Sequence, residues 1–442
     1  MKTLRSGLLG LFGLGLGMTA VAEEALDAKL ARLEALVNRQ QEQMLLLQEE
    51  IARLQKPEAL AYSRGESGKV LVERPASLLP LKQAEAATLS GFPIRFYGMI
   101  KADAVYEDMP TFNGNLSHWV QPQLAASGDQ FSLTARESRL GIEVGQWAAG
   151  DGVSGKLEMD FYSPAGGENG PDLRMRKAYL RWKQGDWTLI AGQDDDAHVL
   201  VFPSTLDYNN FLYRGRLGYR SPQVKVTRDL HGRKLTLSPT LAFARSMGGD
   251  LDGDGQEDGV DAGFPTIQWA MPLSGDFFGK GVSKVALFGH WGAETADFDA
   301  GKNGRFDTWS TGMMWVMPLS SMFSWKGSVW MGANLDAYTG GIGQGVNARS
   351  GASIDSKGGW SQLGIKLCKG LELNLGGGMD DPDDADLAVG ARSLNRHVGT
   401  NLIYAFGNGV SVGLEYQRLQ TEYLQQGRFS AHRLHSSLIY KF

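Results

Sequence analysis

The stretch at residues 434–442, LHSSLIYKF, decides the fold class. Side chains alternate across a strand, so Leu434, Ser436, Leu438, Tyr440 and Phe442 share one face, and the chain stops on the aromatic. Working outward, the same alternation recurs from Gly91 onward. In residues 153–162, Val153, Gly155, Leu157, Met159 and Phe161 fall on one face, and Ser154, Lys156, Glu158, Asp160 and Tyr162 on the other. In water such a strand buries its apolar face in a core; in a bilayer the same face meets lipid. Periodicity does not separate these cases, but the connections do. Very short ones lie at 148–152, 183–186, 231–232, 319–322, 369–370 and 407–409, with a longer one at 274–281. Long polar segments intervene around 107–129, 194–210, 247–262, 337–357 and 380–392. Short turns alternating with long loops predict an all-β, up-and-down antiparallel transmembrane barrel of about sixteen strands over residues 91–442.

Composition agrees. Hydrophobic residues make up 42% and mean hydropathy is -0.24, and beyond the amino terminus no run approaches the ~20 apolar residues of a membrane-spanning helix. Gly 58 is nearly twice the usual share of about 7%, as expected where small residues and aromatics divide a barrel wall. The single Cys368 excludes an intrachain disulfide framework and reads as an ordinary strand residue. A net charge of -5 excludes a generally basic, nucleic-acid-coating protein.

The amino terminus reads as an address followed by a staple. Lys2 and Arg5, the apolar stretch 7–18 and Ala20-Val21-Ala22 form a secretory signal over residues 1–22. A heptad pattern follows over 23–55, with Leu30, Val37, Met44 and Ile51 at the a positions and Leu26, Leu33, Gln40, Leu47 and Leu54 at the d positions. An isolated helix of that length is marginal in water, so the seam implies self-association or packing on the chain's own barrel. Residues 56–90 read as a periplasmic linker.

Several segments resemble the DcaP-like porins: FSLTARESRLGIEV at 131–144, GKLEMDFY at 155–162, LRMRKAYLRW at 173–182, Ile190-Ala191-Gly192-Gln193, and PSTLD at 203–207. The resemblance implies a homotrimeric diffusion channel of sixteen strands per subunit, with amino-terminal helices bundled in the periplasm, passing small anionic solutes such as dicarboxylates. Leu438, Tyr440 and Phe442 resemble the signal read by the barrel-assembly machinery. The expected surroundings are the outer membrane of a Gram-negative bacterium, its lipid and lipopolysaccharide, with peptidoglycan a further candidate partner. The chain departs from the family pattern at Asp194-Asp195-Asp196, where the family carries less charge; acids near a constriction weaken or reverse anion preference.

Three charge patterns are candidate sites. Arg136, Arg139, Arg174, Arg176, Arg214 and Arg216 read as recurring within successive strands. The parity that points Leu173 and Met175 at lipid turns Arg174 and Arg176 into the lumen, where they either draw carboxylates along the wall or pair with Glu137, Glu143, Glu158 and Asp160. Asp194, Asp195, Asp196 and Asp207 read as the third long loop, which either narrows the pore or stays at the surface. Finally, Asp250, Asp252, Asp254, Asp258 and Asp261, with Gly255 at the sixth position, match the spacing of a calcium loop. The role expected of calcium there is structural; transport needs no cofactor. The leading function class is a passive channel. A tether joining barrel and cell wall, and a barrel enzyme, are the alternatives; no Ser/His/Asp motif or histidine cluster in the sequence supports catalysis.

Overall fold

The computed structural model describes residues 87–89, 92–112, 114–122, 128–145, 150–163, 166–251, 257–298, 302–347 and 349–442. The signal at 1–22, the heptad helix at 23–55 and nearly all of the linker lie outside the described residues.

The main sheet holds twenty hydrogen-bonded segments. Ala87–Leu89 is a flap, and Gln130–Thr134, Leu230–His231 and Leu235–Leu237 continue neighbouring strands, which leaves sixteen staves. They are β1 (Phe92–Glu107), β2 (Gln130–Thr134 and Arg139–Gly145), β3 (Gly152–Asp160), β4 (Arg174–Gln184), β5 (Trp187–Asp195), β6 (Arg220–Arg228), β7 (Leu235–Leu237 and Thr240–Ala244) and β8 (Thr266–Gly275). Then come β9 (Ser283–Phe298), β10 (Lys302–Pro318), β11 (Phe323–Ala333), β12 (Asp355–Cys368), β13 (Leu371–Pro382), β14 (Arg392–Gly407), β15 (Val410–Tyr423) and β16 (Gly427–Lys441). Each pairs antiparallel with the next. β16 returns to β1 in the register Met99↔Lys441 to Glu107↔Arg433 and closes the cylinder. Closure leaves no long edge open to another chain.

Phe442 takes part in the seam itself. Its N–H donates to Gly98 O at 3.1 Å and its carbonyl accepts from Gly98 N at 3.0 Å. A Cβ on Gly98 would lie 2.9 Å from the Phe442 ring, so the glycine makes room for the terminal aromatic. Because β16 pairs only with Met99–Glu107, the start of β1 has a free edge, and Ala87–Leu89 covers it. The sheet thus begins inside the stretch read as linker.

Burial is inverted relative to a water-soluble protein. Along β3, Ser154, Glu158 and Asp160 are buried while Val153 and Leu157 are exposed; along β4, Leu173 and Met175 are exposed beside buried Arg176. Phe96, Leu133, Val398 and Phe406 are all more than half exposed. A side chain of this kind loses about 1.5–3 kcal/mol of burial free energy if left in water. A continuous belt of them is stable only against hydrocarbon. Aromatics mark its rims: Trp182, Trp187, Tyr404 and Tyr440 towards the short turns, Tyr106, Phe131, Trp291 and Tyr416 towards the loops.

Two connections on the loop end are tighter than the alternation predicts, Phe298 to Lys302 and Tyr423 to Gly427. At the second, Gln425 and Gly427 take positive φ, which lets the chain reverse in a tight turn. A long connection between β3 and β4, residues 161–173, escaped the sequence reading because its apolar Phe161 and Tyr162 continue the strand pattern.

Candidate functional site

The lumen is crossed by the chain between β5 and β6, residues 196–219, which folds inward. It leaves the wall where Asp196 accepts from Ser221 Oγ (2.6 Å), Gln268 Nε2 (3.0 Å) and Tyr219 N (2.8 Å). It then runs across to the far wall, where Ser204 N donates to Gln362 Oε1 at 2.8 Å and Leu206 N to Glu415 Oε2 at 2.8 Å. Trp330 Nε1 donates to Gly215 O at 2.8 Å and holds the returning limb. Residues 114–122 and 334–345 fold in over it: Asn395 Nδ2 on β14 donates both to His118 O (2.9 Å) and to Tyr213 O (2.6 Å). Backbone groups of an inward loop must find partners, and the polar inner faces of β12 to β15 supply them.

The loop meets the opposite wall through its tyrosines. Asp160 on β3 accepts from Arg174 Nη2 (2.8 Å), Arg176 Nη1 (2.9 Å) and Tyr208 Oη (2.6 Å). Arg174 Nη1 also donates to Tyr219 Oη at 3.0 Å, and Arg176 Nε to Glu158 Oε1 at 2.8 Å. Arg139 stands 3.7 Å from Glu158. Arg139, Arg174 and Arg176 therefore form a basic strip on the lumen wall, partly neutralised by Glu158 and Asp160. The pairing reading holds for these three: they share Glu158 and Asp160, three cations against two acids.

The other arginines do different things. Arg136 sits in the turn that splits β2, where Ser138 N donates to Ala135 O, and not on a strand. It donates to Phe161 O and Gly166 O, pairs with Glu168 at 3.0 Å, and so ties down the 161–173 connection. Arg214 and Arg216 are likewise not strand residues: they lie in the inward loop, because Gly215 and Gly218 take positive φ and break the extended run. Arg214 is fully buried (0% exposed), pairing with Asp207 at 3.0 Å and donating to Gln417 Oε1 at 2.9 Å. Arg216 packs over the Phe202 ring at 5.0 Å.

Asp194 and Asp195 end β5 instead of lying in the loop, and lysines hold them: Lys177 reaches Asp194 at 2.9 Å and Asp195 at 2.7 Å, and Lys225 reaches Asp194 at 2.8 Å. Asp194 and Asp195 are thus matched by two lysines, while Asp196 is held by neutral donors. Lys156, Lys177 and Lys225, which flank the strip and are paired with Glu143, Asp194 and Asp195, were not singled out from sequence. Parity with Glu158 and Gln223 would have found Lys156 and Lys225, but a bulge opposite Glu158 and Met159 shifts Lys177 out of phase.

Electrostatics in the loop favour charged, locked groups. Burial pushes the Asp207 carboxyl up, but Arg433 and Arg214 pull it further down, well below the usual carboxylate range. Burial draws the Arg216 guanidinium down to about 10, so it stays charged at neutral pH. Burial, with Arg214 adding to it, takes His118 down to about 3, so it packs as a neutral ring 4.6 Å from Tyr213.

One catalytic-looking cluster appears that sequence did not suggest. His435 Nε2 lies 3.0 Å from Asp103 Oδ1 and 3.3 Å from Ser437 Oγ, and Ser437 itself bonds Asp103. A relay needs the two ring nitrogens to face opposite partners. Here one nitrogen faces both, and all three residues are buried in the wall, so the cluster works as structural hydrogen bonding.

Of the acidic loop, Asp252 and Asp254 lie outside the described residues. Asp258–Asp261 is a helical turn, and buried Asp258 accepts from Leu251 N at 2.7 Å. The adjoining Gly249 N donates to Glu294 on β9 at 3.2 Å, which docks the loop on the barrel.

The chain is similar to the outer membrane channel DcaP of Acinetobacter baumannii: 20% identity, TM-score 0.63, covering 80% of this chain and 99% of that one. The barrel has the porin fold. It is also similar to an anion-selective porin from Comamonas acidovorans, with 12% identity, TM-score 0.52, and coverage of 79% and 100%. A trimer form of OmpT, an outer membrane protein of Vibrio cholerae, matches at 11% identity and TM-score 0.51, covering 79% of this chain and 99% of that one. No protein-family model matches the chain, and no curated protein matches it.

Proposed function

We propose that this protein is a trimeric outer-membrane porin of the DcaP-like kind, passing small hydrophilic anions, dicarboxylates among them, by diffusion. The observation that carries the reading is the inward loop facing a basic strip of Arg139, Arg174 and Arg176, flanked by the ion-paired Lys156, Lys177 and Lys225. A loop across a polar lumen narrows it, and guanidinium groups shared with carboxylates offer weak serial sites that a passing anion occupies and leaves. The likeness in fold to DcaP and to an anion-selective porin supports this, and the trimer form of a similar barrel supports the oligomer. The heptads at 23–55 are then the periplasmic staple of the trimer. In a planar bilayer, purified protein will give current steps in groups of three and a reversal potential favouring chloride over potassium. Silent membranes, or cation preference, overturn the respective half of the proposal.

Calcium in the acidic loop belongs to the same proposal as a structural ion: the D-x-D-x-D-G spacing suits hard oxygen ligands. Calcium will raise the thermal unfolding temperature of the native chain and leave Asp252→Ala with Asp254→Ala unchanged; equal responses of the two exclude it.

A further inference from the structure

On the outer face of the barrel, β10 to β14 enclose an apolar groove of about 690 Å³. Its floor is made of outward-facing glycines, Gly359 and Gly377, and its sides are Trp315, Val329, Met379 and Val398. Register explains the shape. Val329, Gly359, Met379 and Arg396 are successive partners across β11 to β14, and Trp315, Gly327, Ser361, Gly377 and Val398 form the next row. Two rows of large side chains interrupted by glycine leave a trough running obliquely across the strands. It runs from Trp315, near the short-turn end of β10, towards Arg396, near the loop end of β14.

The upper end of the trough is basic. Arg396 pairs across to Gln420 and Val398 to Arg418, so both arginines share the outward face with Val398. Arg418 is exposed and has no ion-pair partner among the described residues, while Arg396 donates to Gln420 Oε1 at 2.7 Å and stands 3.8 Å from Glu422. Arg428 joins the same face and pairs with Glu422 at 2.6 Å. Glu422 is thus shared by two arginines, and a positive excess stays on the lipid-facing wall, just above exposed Val398 and Tyr416. Lys357 at the other flank is matched by Asp381 at 3.3 Å and adds nothing to that excess. A charge set against hydrocarbon is destabilising unless an opposite charge meets it at the interface.

We infer that this trough and its arginines bind the phosphorylated glycolipid of the outer leaflet, with an acyl chain along the glycine floor and a phosphate on Arg396 and Arg418. The inference rests on the outer-membrane reading, which puts the long loops outside and this rim at the outer headgroup level. Phosphate favours guanidinium groups that offer paired N–H donors. A saturated chain suits a trough with no side chains on its floor.

Native mass spectrometry of the full chain in detergent, titrated with diphosphoryl lipid A, phosphatidylglycerol or phosphatidylethanolamine, tests this. Lipid A is expected to be retained most strongly. Arg396→Gln with Arg418→Gln will weaken it about tenfold, and Arg396→Lys with Arg418→Lys will keep most of the binding. Equal retention by the glutamine variant overturns the site, and phosphatidylglycerol binding as tightly as lipid A overturns the choice of lipid. Bilayer conductance of the same samples is read separately: a silent native protein counts against the porin reading, while loss of lipid A from a conducting variant speaks only to the trough.

Discussion

On the proposed anion-selective reading, replacing Arg174 and Arg176 together by glutamine will make the channel prefer cations. The strip at the narrowing holds Arg139, Arg174 and Arg176 against Glu158 and Asp160, a local charge of +1. The double variant leaves Arg139 against the same two acids, a charge of -1. A unit charge about 7 Å from a solute in a water-filled lumen is worth roughly 0.6 kcal/mol. Removing two acts with opposite sign on anions and cations, so the permeability ratio moves by roughly fiftyfold before screening. At 0.1 M salt the Debye length of about 10 Å reduces this to the order of tenfold. The reversal potential in a salt gradient will change sign. Arg174→Lys with Arg176→Lys keeps the charge and will keep the sign. If the glutamine variant still prefers anions, the strip does not set the preference. Asp160 is fully buried and loses two of its donors, so the variant will also unfold at a lower temperature than the native barrel.

The fold was legible because a barrel wall has only two faces. Parity alone put Leu173 and Met175 outside and Arg174 and Arg176 inside, and Phe442 on the lipid face of the closing strand. Legibility fails where the chain leaves the sheet. Arg214 and Arg216 look like strand residues by spacing, yet the extended run is broken by positive φ at Gly215 and Gly218, glycines that sequence shows without their dihedrals. Sequence leaves Asp207 open to an inward loop or a surface one; it is buried because Arg214, seven residues on, pairs with it inside the lumen. Whether a polar loop lies in solvent or across a polar lumen depends on partners such as Glu415 and Gln362, which are more than a hundred residues away in sequence.

The glycines that sequence counted without placing carry the second large effect. Gly215→Val will unseat the inward loop, raising single-channel conductance roughly twofold and flattening ion selectivity, because the narrowing sets both. Gly215 has φ +114, and a Cβ there would lie 2.1 Å from Gly359 O and 3.0 Å from Met379 N. The neighbouring Arg214 carbonyl lies just as close to the wall: a Cβ on Gly378 would meet it at 2.3 Å. Gly359 belongs to β12 and Gly378 to β13, both hydrogen-bonded on either side, so the wall cannot retreat. The limb at Gly215 can, since one side-chain hydrogen bond, Trp330 Nε1 to Gly215 O, holds that residue to the wall. Strained backbone of this kind costs on the order of 1–3 kcal/mol before the clash is counted. That is enough to compete with one buried hydrogen bond. Once displaced, the limb also withdraws Phe211 from the His397 ring, 4.0 Å away, and Arg214 from Gln417. Gly128→Ala, where a Cβ meets nothing within 4 Å, will conduct as the native channel does. Native conductance in the Gly215 variant would mean that Glu415 and Gln362 alone hold the loop across the lumen.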